Sequence, residues 1–146
     1  MMRKLPFPIL LVLAICALRL PAFSTEASGL VGVAWTLTEL QGKPFTPPAE
    51  GHGGPTLRLD AEKKTANGFS GVNRFFGSYE STGGRLKFGP IAGTKMAGPP
   101  ERMAVESSFL AMLASVTAWR IGEGALSLLH EDQIVARFAP GGAAEK

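Results

Sequence analysis

The chain of 146 residues has one cysteine, Cys16, and it falls inside the amino-terminal apolar run. The rest of the sequence therefore has no thiol with which to build a disulfide framework, a thiolate metal site or a cysteine nucleophile. Histidine is almost as scarce. His52 sits in a proline-glycine loop and His130 at the end of an apolar stretch, neither with metal-ligand spacing or a carboxylate cluster. No metal and no cofactor are expected from such a pattern. An excess of one charge is also lacking once the leader is set aside. Arg3, Lys4 and Arg19 account for the whole formal +3, which leaves twelve basic against twelve acidic residues. With no basic stripe interleaved with aromatics, a nucleic-acid partner is excluded. Finally, the apolar run from Ile9 to Leu18 is too short to span a bilayer, which takes about 20 residues.

That run is nonetheless informative, because it follows Met1-Met2-Arg3-Lys4 and precedes Arg19-Leu20-Pro21-Ala22-Phe23-Ser24. Charged start, apolar middle and small-residue end are the order of a secretory signal. Ala22 and Ser24 place the cut before Thr25, with a cut after Ala27 as the second choice. The expected location is the periplasm or cell envelope. Leu13-Ala14-Ile15-Cys16 resembles a lipobox, although Ile15 is bulky for that motif, so an outer-membrane lipoprotein acylated at Cys16 is the alternative. The membrane is a partner only in that case. The division expected is a signal at 1–24, one domain at 30–139 and a tail at 140–146. About 120 residues suffice for one domain burying roughly two thirds of its unfolded surface, and packing alone must hold it together.

What is present is short, alternating apolar segments with turn signals between them. Strands are expected at Val31–Leu40, Thr56–Leu59, Thr65–Phe69, Phe75–Glu80, Arg85–Phe88, Ile91–Met96, Thr117–Ile121, Ala125–His130 and Ile134–Phe138. Gln41 to Pro55, with four prolines and four glycines, reads as a long loop. Its Gly51-His52-Gly53-Gly54 is no phosphate cradle, since Pro55 and a strand follow instead of a helix. Pro99-Pro100-Glu101 opens the one helix, whose stripe of Val105, Phe109, Met112, Leu113 and Val116, widened by Leu110, is the core face. Strands before and after a single helix, without a βαβ rhythm, predict an α+β fold: one compact domain with a curled, barrel-like antiparallel sheet packed against one main helix.

Within this order stand Gly71-Val72-Asn73-Arg74-Phe75-Phe76-Gly77-Ser78-Tyr79 and then Thr94-Lys95-Met96-Ala97-Gly98. The pair resembles the META domain, the family of HslJ-type heat-shock proteins, whose pattern reads G-C-N-x-F-x-G-x-Y, then T-x-M-A-C, then a helix with a glutamate. Gly71, Asn73, Phe75, Gly77, Tyr79, Thr94 and Met96 stand where that pattern wants them, Glu106 lies near the helix glutamate, and Val72 and Gly98 replace the two cysteines. The resemblance implies a compact curled sheet with a helix on it, similar in shape to lipid-binding pilot proteins of secretion systems. It also implies a pairing of positions 72 and 98, and a stress-linked envelope role without an agreed reaction.

Chemistry read directly from these residues is structural. Asn73 suits a side-chain-closed turn with left-handed backbone, and Gly71 and Gly77 suit positive φ or close approach. Glu106 is expected to bond a backbone amide or Arg74. Gly68-Phe69-Ser70-Gly71 fails the G-x-S-x-G elbow at Val72, and no histidine pairs with Ser70 by motif. No catalytic residues are expected. The favoured reading is a non-enzymatic, monomeric, stress-related binding module for an envelope protein. The alternatives are a carrier of a lipid or other apolar ligand, which requires an unfilled cavity between sheet and helix, and a hydrolase.

Overall fold

The computed structural model describes residues 29–48 and 53–141. The signal segment with Cys16, His52 and residues 142–146 lie outside the described residues. Those described form nine strands and one helix: β1 (Trp35–Leu40), β2 (Lys43–Pro44), β3 (Thr56–Asp60), β4 (Thr65–Phe69), β5 (Arg74–Thr82), β6 (Arg85–Gly93), α1 (Pro100–Ser115), β7 (Ala118–Gly122), β8 (Ala125–His130) and β9 (Gln133–Pro140).

The strands make one antiparallel sheet in the order β2-β1-β3-β4-β5-β6-β7-β8-β9, and β1 also pairs with β9, from Trp35↔Pro140 to Leu40↔Ala136. The sheet thus curls into a ring, an imperfect barrel with α1 packed against it. Period-two alternation drives this closure, because each strand puts a row of apolar side chains inside: Trp35 and Leu37, Leu57 and Leu59, Phe75 and Tyr79, Leu86 and Phe88, Leu126 and Leu128 are all buried. Tight two-residue turns keep neighbours in register. Gln41-Gly42 (φ 50° and 78°) and Glu123-Gly124 (φ 53° and 76°) are left-handed at both central positions, the twist that antiparallel hairpins favour.

The expected α+β barrel with one helix is what forms, with three differences in detail. The loop Gln41–Pro55 contains the short strand β2, which pairs Lys43 with Leu40. The two strands expected at Arg85–Phe88 and Ile91–Met96 are the single strand β6, whose register on β5 shifts by a bulge between Gly77 and Tyr79. Gly89-Pro90 reads as a break in the sequence, yet a bulge absorbs one extra residue without ending the strand. The first strand begins at Trp35 rather than Val31. Ahead of it Leu30 is buried, and its carbonyl accepts the Trp35 indole N–H at 3.0 Å.

The weakest join in the ring is between β6 and β7, which pair through Arg85↔Ala118 alone. Helix α1 packs against β6 near this join. Phe109 is completely enclosed, with its ring 5.7 Å from Phe75 and 6.2 Å from Phe138, so aromatic side chains fill the space between helix and barrel. Met112, Leu113 and Val116 are buried beside it, as the helical stripe predicts, while Val105 and Leu110 are half-buried at its margin.

Candidate functional site

Three segments distant in sequence meet where β4 turns into β5: the turn Ser70–Asn73, the segment Thr94–Gly98 after β6, and the first half of α1. Glu106 joins them. It is 8% exposed, and its Oε2 accepts the amides of Val72 (3.0 Å) and Asn73 (2.7 Å) and the Ser70 hydroxyl (2.9 Å). Oε1 accepts Asn73 Nδ2 at 2.8 Å. Burial by itself would raise the carboxyl pKa. The Asn73 side chain and amide, the Ser70 hydroxyl and the Val72 amide outweigh it, and the net shift is below the ordinary 4.5.

Asn73 is equally occupied. Its Oδ1 accepts the Met96 amide (2.7 Å) and the Thr94 hydroxyl (3.0 Å), and Nδ2 also donates to the Met96 carbonyl (3.1 Å). Two acceptor sites and two donors exhaust an asparagine amide. Thr94 Oγ1 in turn accepts the Arg74 amide at 3.2 Å. Asn73 is therefore a cross-link between three segments, closing the turn with its side chain, and its φ is not positive. Gly71 does adopt positive φ, 134°, and a Cβ there would sit 3.1 Å from the Arg102 carbonyl. Only glycine lets the turn press against the helix. Gly77 serves close approach, since a Cβ would lie 2.7 Å from Ile91 Cδ1.

The remaining motif residues divide by role. Phe75 and Tyr79 point inward, and the Tyr79 hydroxyl donates to the Asp60 carbonyl at 3.1 Å. Burial, helped by the Asp60 charge, pushes that phenol up from its ordinary value. Met96 is held by its backbone while its side chain is 62% exposed. Glu106 takes backbone amides, one of the two partners expected of it; the Arg74 guanidinium is not among its hydrogen-bond partners. Reading the helix as an apolar stripe missed how deeply Glu106 is buried and that Ser70 joins it. The available signal was position: Glu106 precedes Phe109 by three residues and so shares its face.

Beside this hub lies a recess of about 670 Å³ lined by Phe75, Ile91, Met103 and Leu110, with Met96, Arg74 and Lys95 around it. Ser70 and Glu106 form part of its wall, but Ser70 is 1% exposed and its hydroxyl, at 2.9 Å from both Glu106 Oε2 and the Asn73 carbonyl, is already engaged. His130 lies elsewhere, with Nδ1 2.6 Å from the Ser115 carbonyl. Among the described residues the geometry assembles no serine-histidine pair. Among the described residues no cluster of three or more metal-ligating side chains occurs, and no helix is long and apolar enough to cross a membrane.

The order of the motifs and their convergence on one hub agree with a match to the META domain model over residues 28–141. This chain belongs to the META domain family. Two solved structures share the META fold seen here. One, described as an NMR structure of the protein from Burkholderia xenovorans, is 24% identical, covers 97% of this chain and 100% of its own, and superposes with a TM-score of 0.65. The other, titled an NMR structure of the protein, is 22% identical, covers 74% of this chain and 88% of its own, and has a TM-score of 0.56. No curated protein matches.

The two positions where this META domain departs from the cysteine pattern are neighbours in space. A Cβ built on Gly98 would lie 3.4 Å from Val72 Cβ and 2.8 Å from Val72 Cγ2. Val72 thus fills the space between the two positions. Disulfides bring Cβ atoms to about 3.5–4.5 Å, so Val72→Cys with Gly98→Cys should oxidise spontaneously in an oxidising buffer. The closed loop should add about 3 kcal/mol in the chain-entropy model, read as the difference between oxidised and reduced denaturant midpoints. Free thiols in the double variant after air oxidation would refute it. Gly98→Ala alone should destabilise, because the valine methyls occupy the space the new methyl needs.

Proposed function

We propose that this META domain is an exported, non-enzymatic, stress-related binding module of the cell envelope that engages a protein partner at the recess beside Met96. The observation that carries the reading is the condition of the hub. Ser70, Asn73 and Glu106, three of the polar side chains that line the recess, are hydrogen-bonded to one another and to backbone, which makes them a rigid frame. A general base needs an accessible and sufficiently basic group, whereas Glu106 is buried, accepts four hydrogen bonds, three of them on Oε2, and has its carboxyl held below the ordinary range. The frame instead holds out Met96, an adaptable apolar side chain, at a recess that Arg74 and Lys95 also line. Carriage of an apolar ligand inside the barrel is the weaker reading, because Phe75, Phe109 and Phe138 already fill the space it requires.

Native mass spectrometry of the protein taken from its own envelope tests the proposal. The expected result is a chain beginning at Thr25 that carries a bound protein, with the complex lost in Met96→Asp. A mass showing an acylated Cys16 would move the module to the membrane as a lipoprotein. Hydrolysis of ester or peptide substrates that disappears in Ser70→Ala would refute the non-enzymatic reading.

A further inference from the structure

The recess beside Met96 borders an open length of β6. The Thr94 amide donates to the Arg74 carbonyl at 3.1 Å, so at this end of the strand Thr94 faces β5, and its alternating neighbours Gly93 and Ile91 turn their N–H and C=O groups the other way. On that other side β7 has already parted from β6, having paired only through Arg85↔Ala118. Among the described residues no strand pairs with this side of β6 beyond Arg85. Helix α1 runs alongside without pairing. It presents Met103 and Leu110 to the recess and Ala114 and Ser115 to a second one, of about 860 Å³, at the Arg85–Lys87 end of the same strand.

Resting on the binding-module reading, we propose that a partner adds a short extended strand to this edge, with apolar side chains entering the recess and acidic ones facing Arg74 and Lys95. Backbone pairing supplies affinity in such strand addition, and alternate side chains supply specificity. The charges favour an acidic segment. Arg74, Lys95, Arg85 and Lys87 line the two recesses, whereas the carboxylates there are Glu80 and Glu106, the latter buried and already accepting four hydrogen bonds. They also disfavour a second copy of this chain, because two-fold pairing of this edge would set the Arg74 and Lys95 cations of both copies close together. Pro90, which has no N–H, and the bulge blunt the middle of β6, as edge strands commonly require. The productive edge is thus Ile91 to Gly93.

The test uses the hexapeptide acetyl-Asp-Val-Glu-Val-Asp-Val-amide and the exported protein, followed by amide chemical shifts and titration. The Ile91 and Gly93 amides should shift and exchange more slowly with solvent. Methylating the peptide nitrogens that face the edge should weaken binding about tenfold, and so should the Arg74→Glu, Lys95→Glu double variant, checked for folding by its core resonances. A peptide with lysine in place of the acids should bind at least about tenfold more weakly. Equal affinity of the methylated peptide, or shifts centred on a different face such as exposed Phe76, would overturn strand addition. So would binding of phosphatidylglycerol vesicles abolished by the same double variant with no peptide bound, which would assign the cations to a membrane surface. In any of these cases a partner complex that is lost in Met96→Asp would still support the module itself, so the two ideas fail separately.

Discussion

Replacing Glu106 by alanine is expected to cost about 3–4 kcal/mol in denaturant melts, among the largest losses a single substitution can cause here. The carboxylate accepts two backbone amides, a hydroxyl and an amide N–H, and truncation strands these donors in a buried place. A hydrogen bond to a charged group is worth about 1.5–3 kcal/mol, and each stranded donor costs about 1–3 kcal/mol, offset by water entering the space. Glu106→Gln should recover part of the loss, since one oxygen remains while the new NH₂ opposes donors. The pH dependence separates this from a packing effect. The folded pKa is depressed, so the contribution is complete above the unfolded value near 4.5 and falls away as pH drops from there through the folded pKa. Melts of the wild type should weaken over that range, and Glu106→Gln should flatten this part of the profile. An unchanged acid limb in the variant would show that the carboxylate is not the titrating anchor.

Phe109→Ala should cost about 3–5 kcal/mol by a different mechanism. Its ring is wholly enclosed between Phe75 and Phe138, so truncation opens a cavity between helix and barrel that rigid strands cannot close. Leu113→Ala, on the same face, should cost about 2–5 kcal/mol. Phe76→Ala is the control: this ring is 61% exposed on the outer face of β5, and its removal should change stability by less than about 0.5 kcal/mol. A loss below that figure for Phe109→Ala would mean the helix is only loosely docked. The cavity it opens also offers a direct trial of apolar-ligand carriage. If that variant takes up an acyl chain and the wild type does not, the filled core is what denies the wild type a ligand.

Local pattern sufficed for most elements. The alternation of Phe75 and Tyr79 against Phe76 and Ser78 placed the first pair inside and Phe76 outside, and Pro99-Pro100-Glu101 marked a helix that begins at Pro100. These features rest on backbone geometry of period 2 or 3.6, which is written into neighbouring residues. The motif resemblance located Gly71, Asn73, Thr94 and Met96 as a group. Gly89-Pro90 misled, because whether a proline ends a strand or sits in a bulge depends on the register of the facing strand, here β5.

Sequence by itself therefore determined an antiparallel α+β domain with one helix, its buried faces, the absence of cysteine from the domain, and family membership through ordered motifs. Only the tertiary structure decided that the sheet closes through β1 and β9, that Val72 touches Gly98, and that Glu106 is the acceptor for Ser70, Val72 and Asn73. It alone left the Ile91–Gly93 edge open. The physical reason is range: side-chain alternation and helix signals are properties of a few consecutive residues. Hydrogen bonds between positions 33 to 36 apart, and the free edge left where two strands part, exist only once the chain has closed on itself.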